Sequence, residues 1–248
     1  MAIREVSRRG FLAAAGALCA FPAIIPASAL GRQGRPAPSG RVNLGLIGCG
    51  VQGVHSNLKN FLNDDNTQVT SVCDPVSDGP LYGYRAQLQG GREPARQMVN
   101  AFYAEKTEND GYDGCKVFAD FRAMLDDPDL DAVCVATPDH WHALIGIMAA
   151  RKGKHIFGQK PLANSVAEGR ALCEAVKKHG VVFQTGAQGR SIDPYRRMAA
   201  ELIRNQRLGK LRRIQLGLPG GHSTWGKTGE QLSEQALARP PEYVDFDL

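Results

Sequence analysis

Two kinds of apolar pattern alternate along this chain. Short runs rich in Val, Leu and Ile, such as Val42, Leu44, Leu46 and Ile47 or Val69 to Cys73, read as strands buried on both faces. Stretches with apolar positions three and four apart, such as Leu58, Phe61 and Leu62, read as helices that bury one side. In chain order the pattern predicts a strand from Val42, a helix through Leu62, a strand to Cys73, and a helix over 95–106. It continues with a short strand 116–118, a helix turn 121–125, a strand 129–136 and a helix 143–152. A strand 154–157, a helix 166–179 and a strand 181–184 complete the series. Strands that alternate with helices imply a parallel sheet with right-handed crossovers, covered on both faces.

The first strand drops into Gly48-Cys49-Gly50-Val51-Gln52-Gly53 before its helix begins. Gly48 permits a tight turn, Gly50 leaves room for a diphosphate against the backbone, and Gly53 lets the helix pack close to the strand. The helix N-terminus then offers free N–H groups and its positive dipole end to the phosphates. A lone glycine pattern of this kind is weak, but its context is right. The second strand ends in Asp74, 21 residues after Gly53, where a carboxylate accepts from the adenosine ribose hydroxyls and repels a 2′-phosphate. The expectation is α/β: a Rossmann-type doubly wound sheet over 41–190 that binds NAD in preference to NADP.

The loops that follow the later strands lie on the same edge. Thr137-Pro138-Asp139-His140-Trp141-His142 follows the strand ending at Ala136, and Gly158-Gln159-Lys160-Pro161 follows the strand ending at Phe157. Ligands in such sheets sit beyond the carboxyl ends of the strands, so both loops belong to the site. Lys160, beside a rigid proline, is the candidate catalytic group. His142 reads as a hydrogen bonder at a helix start, while His140 and Trp141 either line the substrate side or pack under the loop. Pro75 to Gly91 is an insertion, read as a surface loop or a flap near the adenosine half.

Composition adds exclusions more than assignments. The 248 residues are 43% hydrophobic and 22% charged, which is globular. Of the net charge of +5, Arg4, Arg8 and Arg9 against Glu5 supply two, and no dense basic run interleaved with aromatics gives a footprint for nucleic acid. No His, Cys, Asp or Glu spacing points to a metal. The cysteines show no CxxC spacing and read as small core residues, with Cys115 the candidate exposed thiol.

Both ends carry separate expectations. Ser7-Arg8-Arg9-Gly10-Phe11-Leu12, an Ala-rich stretch and Ala27-Ser28-Ala29 form a twin-arginine export signal over 1–29, too short and broken for a stable membrane anchor. Residues 30–40 are a Pro/Gly linker. After Arg190 a helix 193–206 and a strand 211–218 begin a second α/β domain over 191–248. That domain stops at PPEYVDFDL, so the chain reads as C-terminally truncated.

Taken together, GCGVQG, Asp74, TPDHWH, QKPL and QTGAQGRS resemble the glucose-fructose oxidoreductase/inositol dehydrogenase (Gfo/Idh/MocA) family, especially its exported members. The likeness covers about residues 41 to 215. The resemblance implies that Thr137 and Pro138 touch the nicotinamide ribose, that His142 caps the next helix beside the cofactor, and that Lys160 binds the substrate hydroxyl and assists proton transfer. Gln159 stands where the family has glutamate; its amide keeps a hydrogen bond to the ribose but removes the charge that would hold Lys160 protonated. The family's Asp-x-x-x-His pair is absent after Arg190. The implied activity is oxidation of a secondary hydroxyl of a sugar or cyclitol, by a protein that is a homo-oligomer when intact. The alternatives are an NAD-dependent glycoside hydrolase and a dinucleotide-binding module without turnover.

Overall fold

A computed structural model describes residues 36–80, 89–188, 194–215 and 217. The chain divides between Arg41 and Val42 into two compact units. Of the first, residues 36–41 are described, where Pro38–Gly40 makes one 3-10 turn. The expected signal over 1–29 lies outside the described residues.

The second unit is built on strands β1 (Val42–Ile47), β2 (Thr67–Cys73), β3 (Gly79–Pro80), β4 (Gln89–Gly90), β5 (Lys116–Phe118), β6 (Ala132–Val135), β7 (His155–Gly158) and β8 (Phe183–Thr185). Six of them form one parallel sheet in the order β5-β2-β1-β6-β7-β8; β3 and β4 pair antiparallel within the insertion. Leaving that small pair aside, the sheet runs 3-2-1-4-5-6. The strand order reverses between β1 and β6, and a crevice opens there.

Helix α1 begins as a π-turn (Gly53–Leu58) and continues as α-helix (Lys59–Leu62). It is followed by α2 (Arg92–Thr107), α3 (Phe121–Leu125), α4 (Asp139–Arg151), α5 (Val166–His179) and α6 (Pro194–Arg204). Period-two alternation in the strands feeds two cores. Leu44 and Leu46 of β1 and Cys134 of β6 pack with Leu58, Leu62, Val99 and Tyr103 on one face. Ile47, Val133 and Val135 pack with Met124, Leu125, Ile145 and Ala149 on the other. This double burial explains why the strands read as continuous apolar runs. Helix α5 is started by a capping box, Ser165 with Glu168, and stopped by Gly180 in the left-handed region.

Several expectations shift. The helix expected over 143–152 begins at Asp139, after an extended Pro138, so Asp139 to His142 form its first turn and not a loop; the helix expected over 95–106 begins at Arg92, directly after Gly91 at φ +105°. The strand expected over 129–136 begins only at Ala132, because the Lys154 ammonium donates to the carbonyls of Asp127 and Leu130, each at 2.8 Å, and holds that stretch as a turn. The last strand begins at Phe183, since the Val182 N–H donates to His155 Nδ1 at 2.9 Å. Residues 211–215, expected to open a strand, carry no strand ladder, and Leu218 is outside the described residues. One side-chain expectation is overturned. Cys115 is buried, its N–H bonded to Asn100 Oδ1 under α2, and the exposed thiol among the described residues is Cys173.

Candidate functional site

The turn from β1 into α1 is shaped by what its glycines exclude. Gly48 has φ +98°, and a Cβ there would lie 2.6 Å from the Ala136 carbonyl oxygen. A Cβ on Gly53 would strike the Gly48 carbonyl oxygen. Gly50 differs: a Cβ there meets nothing within 4 Å, so open space lies above it. The first helical hydrogen bond runs from Val54 N–H to Gly50 O at 2.9 Å, so the N–H groups before Val54 fall outside the helix's own ladder. An anion fits there.

Asp74 follows β2 directly and is tied into this turn. Its Oδ2 accepts the Cys49 N–H at 2.6 Å and its Oδ1 accepts the Val76 N–H at 2.9 Å. Burial pushes its carboxyl above the usual carboxylate range, while those two N–H donors and the Arg92 guanidinium pull the other way. Arg92 donates through Nη1 to the carbonyls of Asp74 (3.1 Å) and Pro75 (2.8 Å), fixing the backbone around the acid. Each carboxylate oxygen retains a second lone pair for a ribose hydroxyl.

Between these groups lies a cavity of about 490 Å³. Gly48, Cys49, Gly50, Val51, Gln52, Asp74, Thr137 and Pro138, all candidates from the sequence, line it. Thr137 Oγ1 is buried and has no hydrogen-bond partner. Buried hydroxyls rarely stay unpaired, and this one borders the cavity. Open space above Gly50, an acid at the end of β2 and an orphan hydroxyl at the end of β6 fit the diphosphate and ribose groups of a dinucleotide. Trp141 also lines the cavity, with its ring edge-on to Phe121 at 6.1 Å. Phe121 and Arg122 were missed in the sequence. Their only signal was position, directly after the third parallel strand.

The other candidates, Gly53, His142, Gln159 and Lys160, are not among the residues that line the cavity. Gly53 underlies the turn. His142 is buried, with Nδ1 2.6 Å from Pro161 O and Nε2 2.8 Å from Thr137 O, so it ties the loop after β6 to the loop after β7. Gln159 is buried, its Nε2 donating to Asn57 Oδ1 at 2.9 Å and its Oε1 accepting the Lys160 N–H at 3.3 Å. Lys160 is exposed, and its ammonium carries no hydrogen bond or ion pair among the described residues. His140 is exposed, 6.0 Å from the Trp141 ring. No group of three or more possible metal ligands occurs among the described residues.

Residues 84–187 match the family described as "Oxidoreductase family, NAD-binding Rossmann fold". A levoglucosan dehydrogenase of Pseudarthrobacter phenanthrenivorans is 32% identical over 141 residues, covering 57% of this chain and 32% of that protein. A glycosyl hydrolase family 109 protein of Solibacter usitatus is 27% identical over 155 residues, 61% of this chain and 32% of that protein. The chain thus spans about a third of the length of these curated relatives. The solved structure of a scyllo-inositol dehydrogenase from Lactobacillus casei, with bound NAD(H) and scyllo-inositol, matches with a TM-score of 0.52 at 20% identity. It covers 68% of this chain and 43% of that one, and the likeness shows the fold.

Proposed function

We propose that the chain is a member of the Gfo/Idh/MocA oxidoreductase family, whose model matches residues 84–187, and that the protein moves a hydride between NAD and a secondary hydroxyl carbon of a sugar, cyclitol or derivative. The observation that carries this reading is the cavity at the β1/β6 reversal, where the open space over Gly50, the Asp74 carboxylate and the unpaired Thr137 hydroxyl converge. When bound, NAD supplies the hydride acceptor. Asp74 holds the adenosine ribose, the N–H groups of Gly50 to Gly53 hold the diphosphate, and Thr137 and Pro138 border the path toward the nicotinamide end. Lys160, with its ammonium unengaged at the carboxyl end of β7, stabilises charge on the substrate oxygen as its carbon–hydrogen bond breaks. Asp74 disfavours a 2′-phosphate, so NAD binds more tightly than NADP. The test is formation of NADH on incubation with NAD and a panel of sugars and cyclitols; a protein that neither holds nor binds NAD(H) contradicts the reading.

A second reading, transient oxidation of a glycoside followed by elimination and re-reduction, draws on the glycosyl hydrolase relative. Redox balance separates the two: hydrolysis without net NADH favours the second. The Ser7–Leu12 twin-arginine pattern supports export of the folded protein, tested by replacing Arg8 and Arg9 with lysine and following localisation. Exposed apolar side chains on α6, Met198 and Ile203, support a homo-oligomer, tested by light scattering.

A further inference from the structure

A buried polar chain crosses the carboxyl edge of the sheet from the glycine turn to the Lys160 segment. Its centre is Asn57, which is 4% exposed and sits in the π-turn of α1, between the core residues Val54 and Leu58. Asn57 Oδ1 accepts from Gln52 Nε2 at 3.2 Å and from Gln159 Nε2 at 2.9 Å, and Asn57 Nδ2 donates to Cys134 Sγ at 3.3 Å. Gln52 borders the dinucleotide cavity. Gln159 passes the connection on, since its Oε1 accepts the Lys160 N–H and its own N–H donates to Val135 O at 2.9 Å.

Packing alone does not ask for this arrangement. A leucine at position 57 would join the apolar face of α1 without any polar group to satisfy, whereas a buried amide is costly unless fully paired. Here both lone pairs of Oδ1 are used, one by each side of the site. A π-turn, which inserts a residue into the helical ladder and recurs at functional positions, places Asn57 among these partners. Every member of the chain is neutral: three amides, and a Cys134 thiol that burial pushes up to about 12. Neutral Gln159 therefore suits Asn57, which offers it an acceptor, and Gly186 gives Gln159 its room, since a Cβ there would lie 3.2 Å from the amide.

We propose that Asn57 is a positioning residue that couples occupation of the glycine turn, through Gln52, to the placement of the Lys160 segment, through Gln159. The proposal rests on the NAD-binding reading above. Because Asn57 Oδ1 is shared by two donors, any change in the hydrogen bonding of Gln52 at the cavity alters the acceptor available to Gln159.

Backbone hydrogen exchange of the full chain with and without saturating NAD tests this. In the unaltered protein NAD is expected to slow exchange both at residues 48–54 and at residues 158–164. In Asn57→Leu the slowing at 48–54 is expected to remain and the slowing at 158–164 to be lost. Gln159→Met, which cuts the chain from the other end, is expected to behave alike and decides the matter if Asn57→Leu does not fold. Slowing at 158–164 that survives in the variants overturns the proposal, as does a folded Asn57→Leu protein that loses the slowing at both segments. Slowing at 48–54 without any at 158–164 in the unaltered protein overturns the proposal and leaves the NAD reading standing. Slowing at neither segment removes both.

Discussion

Asp74 Oδ2 accepts the backbone N–H of Cys49 at 2.6 Å, so the acid expected to hold the ribose and the turn expected to hold the diphosphate form one hydrogen-bonded unit. Gly48 N–H donates to Cys73 O at 2.9 Å, and Gly91 N–H donates to Cys49 O at 3.1 Å. The end of the insertion is thereby fastened to the same turn. A ligand that engages Asp74 meets a backbone already fixed, which lowers the ordering cost of binding.

The raised pKa of Asp74 gives NAD binding a pH dependence. Burial is its main cause, and only the ionised carboxylate accepts from both ribose hydroxyls. NAD affinity is expected to be level near neutrality and to fall as pH drops through the folded-state pKa, above the ordinary value of about 4. The sign for stability is opposite: ionised Asp74 costs stability at neutral pH, and that cost disappears as the pH falls through the same value. Titration calorimetry across pH checks the first effect, and in Asp74→Asn the acidic fall should vanish from an already weaker starting affinity.

Gly48→Ala is expected to destabilise the fold, by about 1–3 kcal/mol for the strained backbone alone. With φ at +98° and the Ala136 carbonyl 2.6 Å from the new Cβ, neither the backbone nor the neighbour can yield cheaply. Urea unfolding of the variant beside the unaltered protein measures the loss.

Thiol labelling at mildly alkaline pH is expected to modify Cys173 and to spare Cys49, Cys73, Cys115 and Cys134. Cys173 is exposed, whereas burial raises the other four thiols, to about 12 for Cys73, Cys115 and Cys134. Peptide mass spectrometry after alkylation reads the outcome directly.

Lys160→Ala is expected to lower turnover on the order of a hundredfold or more, the usual effect of removing one positioned charge from a reacting oxygen. NAD affinity should change far less, because Lys160 does not border the cavity formed by the glycine turn, Asp74 and Thr137. Parallel measurement of turnover and NAD binding separates the two; normal turnover, or equal loss of both, returns Lys160 to the role of an ordinary strand-end lysine.

What the sequence made legible is what local backbone geometry dictates. Gly48, Gly50 and Gly53 could be read because each answers a demand of the strand-turn-helix path itself, and Asp74 because it ends the next strand. The chemistry that spans distant segments was hidden. Gln159 meets Asn57 across 102 residues, a contact created by the sheet placing β7 beyond β6, and no spacing rule announces it. The Phe121–Trp141 pair was invisible for the same reason. Cys115 looked exposed beside glycines, but its partner Asn100 on α2 draws it inward.

The most direct measurement of the central claim is NAD titration calorimetry of Gly50→Ala beside the unaltered protein. A Cβ at Gly50 meets nothing within 4 Å, so the variant should fold and melt like the parent. The added methyl enters the space over the turn where the diphosphate is held. The expected result is an intact fold with NAD affinity reduced about tenfold or more, a loss of at least 1.4 kcal/mol. NAD affinity unchanged by Gly50→Ala, or no NAD binding by the unaltered protein, would contradict the assignment of this cavity to a dinucleotide.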